Sequence, residues 1–142
     1  MSLHTDSIFI AALQGDSDLY EAVGGRIYGT AIPLPDEDAD NVPAPYLIVT
    51  FDGLANTVET KDDSYEGDED QVNIGIEVTA LTLSSLHDLT EEVREVVRDY
   101  FESHDTDVID YRFTADAIRY DPLKPCFWQV LRYQCSTELS NG

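Results

Sequence analysis

A chain of 142 residues with 42% hydrophobic and 10% aromatic content can bury a core of its own, which argues against a disordered polymer. Charge is the unusual quantity: 29 acidic residues against 8 basic ones leave a formal −21. That balance argues against nucleic-acid binding through phosphates and against anionic membranes, and it favours solubility and basic protein partners, so that a monomeric acidic adaptor or inhibitor of a basic protein is one reading of the chain. Halophilic proteins are acidic and lysine-poor too, and here only Lys61 and Lys124 occur, so a saline environment is a second source of the same composition.

In chain order, Asp6–Leu13 reads as a helix, capped by Asp6 or Ser7 and stopped by Gly15. A second short helix follows, capped by Asp16 or Ser17, with Leu19, Tyr20 and Val23 on it and Gly24-Gly25 ending it. Arg26-Ile27-Tyr28 opens a strand. Residues 34–44 are predicted as an acidic loop, because Pro33, Pro35, Pro43 and Pro45 remove ladder donors and Asp36, Glu37, Asp38 and Asp40 repel one another.

Tyr46–Asp52 is rich in β-branched and aromatic residues and reads as a central strand. Beyond a second acidic stretch, residues 59–70, the residues Val72, Ile74, Ile76, Val78 and Ala80 alternate with polar ones. The two strands form a long hairpin whose charged tip carries Asp62, Asp63, Glu66, Asp68, Glu69 and Asp70. Next comes the best helix. Ser84 or Ser85 caps it, Leu86, Leu89, Val93, Val96, Val97, Tyr100 and Phe101 make its apolar stripe, and Arg98 is spaced to pair with Glu102. Tyr111–Tyr120 and Phe127–Thr137 close the fold as two strands joined by a proline-rich turn. The expected class is α+β: an antiparallel sheet of about four to five strands, with one long amphipathic helix and short N-terminal helices packed on it, in a single domain over 1–142.

Cys126 and Cys135 fall on one predicted strand, where nine residues put them about 30 Å apart, beyond disulfide reach. Free thiols fit a reducing compartment, and neither a signal peptide nor a membrane-length apolar run is legible, so the chain reads as cytoplasmic.

Sites for small-molecule chemistry are not legible. Gly24-Gly25 lies between helix and strand, the reverse of a phosphate-cradling order. An EF-hand begun at Asp62 would end on Asn73, and one begun at Asp36 would end on Leu47, where a bidentate acid is required. His4, His87 and His104 lack ligand spacing with the cysteines, and no nucleophile motif is present. The reading is a non-enzyme without cofactor or metal. Both faces of the last strand carry large groups, so Trp128 is covered either by the N-terminal helices or by a neighbouring subunit.

The run Leu19–Tyr28, containing Val23-Gly24-Gly25-Arg26-Ile27-Tyr28, and the later Pro43-Ala44-Pro45-Tyr46-Leu47-Ile48-Val49 resemble the tail completion or tail terminator proteins of long-tailed phages, also called head-to-tail joining or neck proteins. The similarity spans most of the chain, with heavier acidity and a longer acidic tip than the family pattern. It implies a structural protein whose copies form a ring, typically a hexamer, that caps the tail tube, docks on the head connector and lets the genome pass. It also implies a virion component, assembled in the cytoplasm, with no sequence-specific nucleic-acid binding. The two acidic loops become candidates for the ring lumen. Gly25, Arg26, Tyr28, Pro45 and Tyr46 become structural motif positions.

Overall fold

The structure, a computed structural model, describes residues 2–29, 43–56 and 69–138. A 3-10 turn over Ser2–His4 leads into α1, Thr5–Gly15, whose Phe9, Ile10, Ala12 and Leu13 are buried. The helix starts earlier than its capping residues implied. His4 occupies the cap without a side-chain bond, and Asp6 lies in the first turn, where a carboxylate suits the positive end of the helix dipole. Helix α2, Ser17–Ala22, is capped by Asp16, whose Oδ1 accepts from the Leu19 amide at 3.0 Å. Gly24 and Gly25 follow at φ 59° and 74°, the left-handed turn that favours glycine at a helix end.

Strand β1, Ile27–Tyr28, pairs in parallel with β2, Tyr46–Asn56, placing Ile27 beside Leu47. The fully antiparallel sheet expected from the sequence is therefore corrected to a mixed one. A parallel pair cannot be joined by a tight turn, and 17 residues separate Tyr28 from Tyr46 in the sequence. Strand β3, Glu69–Ala80, runs antiparallel to β2 from Tyr46 opposite Thr79 to Asn56 opposite Asp70. The register shifts between Phe51 and Gly53, and Gly53 takes φ 135° there.

Strand β6, Cys126–Glu138, lies along the other side of β3. The strand expected over Tyr111–Tyr120 is two pieces, β4 (Val108–Ala115) and β5 (Arg119–Asp121), both paired with β6. Ala115 faces Leu131 and Arg119 faces Trp128, so four steps on one side match three on the other. The extra residue makes a bulge, and the Asp116 amide still reaches the Val130 carbonyl at 2.9 Å. The sheet order is β1-β2-β3-β6-β4, with β5 beside the start of β6.

Helix α3, Leu83–Ser103, begins at a different cap from either serine. Thr82 Oγ1 accepts from the Ser85 amide at 3.0 Å. Its Leu86, Leu89, Val93 and Val97 join Val72, Ile74, Ile76 and Val78 of β3 and Leu131, Tyr133 and Cys135 of β6 in one core. Burying each such side chain stabilises the fold by about 1.5–3 kcal/mol. Phe9 brings α1 into the same layer, 5.1 Å from the Tyr133 ring centroid and 5.4 Å from that of Phe101. On the outer side Arg98 meets Asp99 at 3.6 Å instead of the expected Glu102.

Candidate interaction surface

The motif residues converge on the junction of β1 with β2. Arg26 Nε donates to the Pro45 carbonyl at 3.0 Å, and the Leu47 amide donates to the Arg26 carbonyl at 3.0 Å. The rings of Tyr28 and Tyr46 meet edge to face at 6.5 Å. The glycines leave room for this clasp: a Cβ on Gly24 would stand 2.7 Å from Arg26 Nη1, and one on Gly25 would stand 3.0 Å from the Tyr20 hydroxyl. Gly25, Arg26, Tyr28, Pro45 and Tyr46 thus stitch the crossover strand to the central hairpin.

Alternation assigns the other face of the sheet. Leu47, Val49, Ile74, Ile76, Leu131 and Tyr133 point to the helices, so Tyr46, Ile48, Glu77, Thr79, Trp128, Val130 and Arg132 point away from them. Register lines them up across the strands. One row is Tyr46, Thr79, Trp128 and Arg119; the next is Ile48, Glu77 and Val130; the third is Thr50, Gly75, Arg132 and Thr114. Trp128 is half-buried, and because α1 and α2 pack on the opposite face, neither covers it. Cations overlie the aromatics: the Arg119 guanidinium carbon is 5.8 Å from the Trp128 ring centroid, and Lys124 Nζ is 5.3 Å from that of Tyr46.

A charge network crosses this face. Arg132 Nε donates to both Asp116 oxygens at 3.0 Å, and its Nη1 reaches Asp52 Oδ2 at 3.4 Å. Thr50 Oγ1 donates to Asp52 Oδ1 at 2.9 Å. Gly75 keeps the floor clear, since a Cβ there would meet Asp52 Oδ2 at 2.7 Å and Thr50 Oγ1 at 2.8 Å. The hydrogen bond from Arg132 holds the Asp116 carboxyl below the usual carboxylate range. Glu77 is the opposite case. Half-buried in its row and without a salt bridge among the described residues, its carboxyl is pushed up by burial.

Asp70, expected on the acidic tip, lies in β3, is 8% exposed and accepts from Asn56 Nδ2 at 2.9 Å. Glu69 belongs to the same strand. The hairpin ladder extends further than the sequence pattern showed, so neither position is on a projecting loop. Asp36, Glu37, Asp38, Asp40, Asp62, Asp63, Glu66 and Asp68 lie outside the described residues.

Small-molecule chemistry finds little to build on. A shallow depression of 490 Å³ on the open face is lined by Asp52, Asn73, Arg112, Thr114, Arg132 and Gln134, side chains that already pair or face solvent. Among the described residues no group of three or more His, Cys, Asp or Glu is placed to hold a metal. Both cysteines are free and buried, and burial pushes the Cys135 thiol up to about 12, far from a reactive thiolate. No helix among the described residues is long and apolar enough to cross a membrane.

No protein-family model matches the chain, and no curated protein matches it either. Solved structures do. The chain aligns over 94% of its length with 94% of a chain from the virion of a native gene transfer agent particle, at a TM-score of 0.62 and 12% identity. Over 99% of its length it aligns with 91% of the bacteriophage SPP1 gp17 protein, at 0.54 and 16% identity. The fold is that of phage and virion proteins. The likeness of the backbone to both chains runs nearly end to end.

The arrangement of bases was not found from the sequence. Arg112, Arg119, Lys124 and Arg132 come from three strands and a turn, and only the period-two placement of Arg132 with Trp128 and Val130 marks a shared face in the sequence.

Proposed function

We propose that the chain is a structural protein of a phage or prophage particle, which assembles as a ring on the end of the tail tube, joins it to the head connector and lets DNA pass. The observation that carries this reading is the near-complete alignment with virion and phage chains, on top of the clasp that unites the Gly-Arg-Ile-Tyr and Pro-Tyr motifs. A sheet with one face on which no helix of the described residues packs supports it, since a subunit of an assembly keeps such a surface for its neighbours. On this reading the protein acts by docking to its partners.

The acidic segments fit the task. DNA entering a ring lined by Asp36, Glu37, Asp38, Asp40, Asp62, Asp63, Glu66 and Asp68 is repelled from the wall and slides without sticking. The partners are further copies of the chain, the tail tube and the connector, and the protein ends as a component of the virion. Electron microscopy of the purified chain, alone and incubated with tail tubes, tests the reading. Rings with an open centre, free or seated on tube ends, are the expected result. Single subunits in both samples would end it.

A further inference from the structure

The chain's few cations are unevenly placed. Of 8 basic residues, four (Arg112, Arg119, Lys124 and Arg132) lie on or over the open face of the sheet. Arg132 pairs there with both Asp116 and Asp52, and Glu77 stands on the same face, so these four bases outnumber the three carboxylates by one; Arg112, Arg119 and Lys124 enter no salt bridge among the described residues. Arg112 and Arg119 stand seven residues apart along β4 and β5, which spans about 20 Å.

A complementary row exists on the far side of the molecule. Asp88, Glu92, Glu95, Asp99 and Glu102 recur along α3 at intervals of four and three, so they share one helix face, opposite the buried Val93 and Val97. Fourteen residues of helix extend this stripe about 21 Å. Its length matches that of the basic row, and its charge is opposite, with Asp99 already paired with Arg98 at 3.6 Å and the other four carboxylates in no salt bridge among the described residues. The two rows face away from each other across the sheet, so they cannot meet within one chain, but they can meet between two.

We infer that the open face of the sheet docks the acidic outer stripe of α3 from a second copy, with Arg112, Arg119 and Lys124 set against Asp88, Glu95 and Asp99. The inference rests on the ring reading and deepens it by naming the two surfaces. Charge selects the occupant. Subunits carrying −21 repel each other, and a contact that sets the unpaired cations of one against the acidic stripe of the next offsets that repulsion locally. The contact is heterologous, a different surface on each partner, and contacts of that kind repeat head to tail, closing into a ring where the rotation between neighbours adds up to a full turn and running on as a filament where it does not. Ile48, Val130 and Trp128 supply the apolar floor between the cations.

Sedimentation velocity with the full chain and two charge-reversed variants tests this. Arg112→Glu/Arg119→Glu makes the open face negative, and Glu95→Arg/Asp99→Arg makes the stripe positive. All four positions are exposed, and circular dichroism confirms that each variant keeps its fold. Each variant alone repels its own kind and associates at least about tenfold more weakly than the unaltered chain. An equimolar mixture alternates the two and regains assembly. Rising salt weakens the unaltered assembly, because screening shortens the reach of these charges from about 8 Å at physiological ionic strength to about 3 Å at 1 M. Assembly of both variants as well as the unaltered chain, or a mixture that stays dissociated, overturns the assignment of surfaces and leaves the ring standing. An unaltered chain that stays monomeric at every concentration and on tail tubes overturns the ring as well. Duplex DNA binding that Arg112→Glu/Arg119→Glu abolishes would assign the face to nucleic acid instead.

Discussion

Tyr133 sits at the centre of the core, 1% exposed, with Phe9, Tyr111 and Phe113 around its ring and no hydrogen-bond partner for its hydroxyl among the described residues. A buried hydroxyl left unmatched costs about 1–3 kcal/mol, so Tyr133→Phe should leave stability unchanged or raise it by about 1 kcal/mol in urea unfolding. Tyr133→Ala, which removes the ring, should cost about 3–5 kcal/mol. Glu77 makes a second case with a definite sign. A carboxyl whose folded-state pKa lies above its unfolded value holds its proton more tightly when folded, so its contribution to stability falls as pH rises from the unfolded value through the folded one. Glu77→Gln should therefore match or exceed the parent in stability at neutral pH, and the advantage should vanish in acid below both values. A parent that is clearly the more stable at neutral pH would show that Glu77 has a partner on this face.

Among the elements, the junction of β1 with β2 depends on one guanidinium. Arg26→Ala removes the bond to the Pro45 carbonyl, a charged donor worth about 1.5–3 kcal/mol, and should raise hydrogen exchange first in β1 and the start of β2. Thr82→Ala should cost about 1 kcal/mol through the lost cap of α3, while Ser84→Ala should be near neutral. This cap also shows where reading from sequence stops. Thr82, Ser84 and Ser85 are chemically equivalent candidates, and only the extended backbone at Thr82 decides among them. The β2–β3 hairpin and α3 were legible because periods of two and of about 3.6 record which side is buried. Parallel pairing of β1 was not, since direction depends on where a long connection returns. Nor was the break at 116–118, because the Asp116 carboxylate is fixed by Arg132, sixteen residues away on another strand. The motif residues were picked out by resemblance, but their mutual contact became visible only once β1 lay beside β2.

For the whole molecule, an excess of acid that looked uniform in composition is organised. The acidic stripe of α3 lies on one side, cations without a salt bridge among the described residues lie on the other, and the sheet lies between them. The composition was legible; the polarity was not, because it depends on strand order, which sets β4 and β5 on the same side of β6. A chain polarised in this way carries the two complementary surfaces that the proposed head-to-tail assembly needs. Native mass spectrometry of the purified chain over a concentration series reads closure directly. Closed rings appear as one discrete multimer above the monomer, of fixed subunit number, that gains intensity with concentration. A ladder of ever larger species, or monomer alone throughout, would contradict the account.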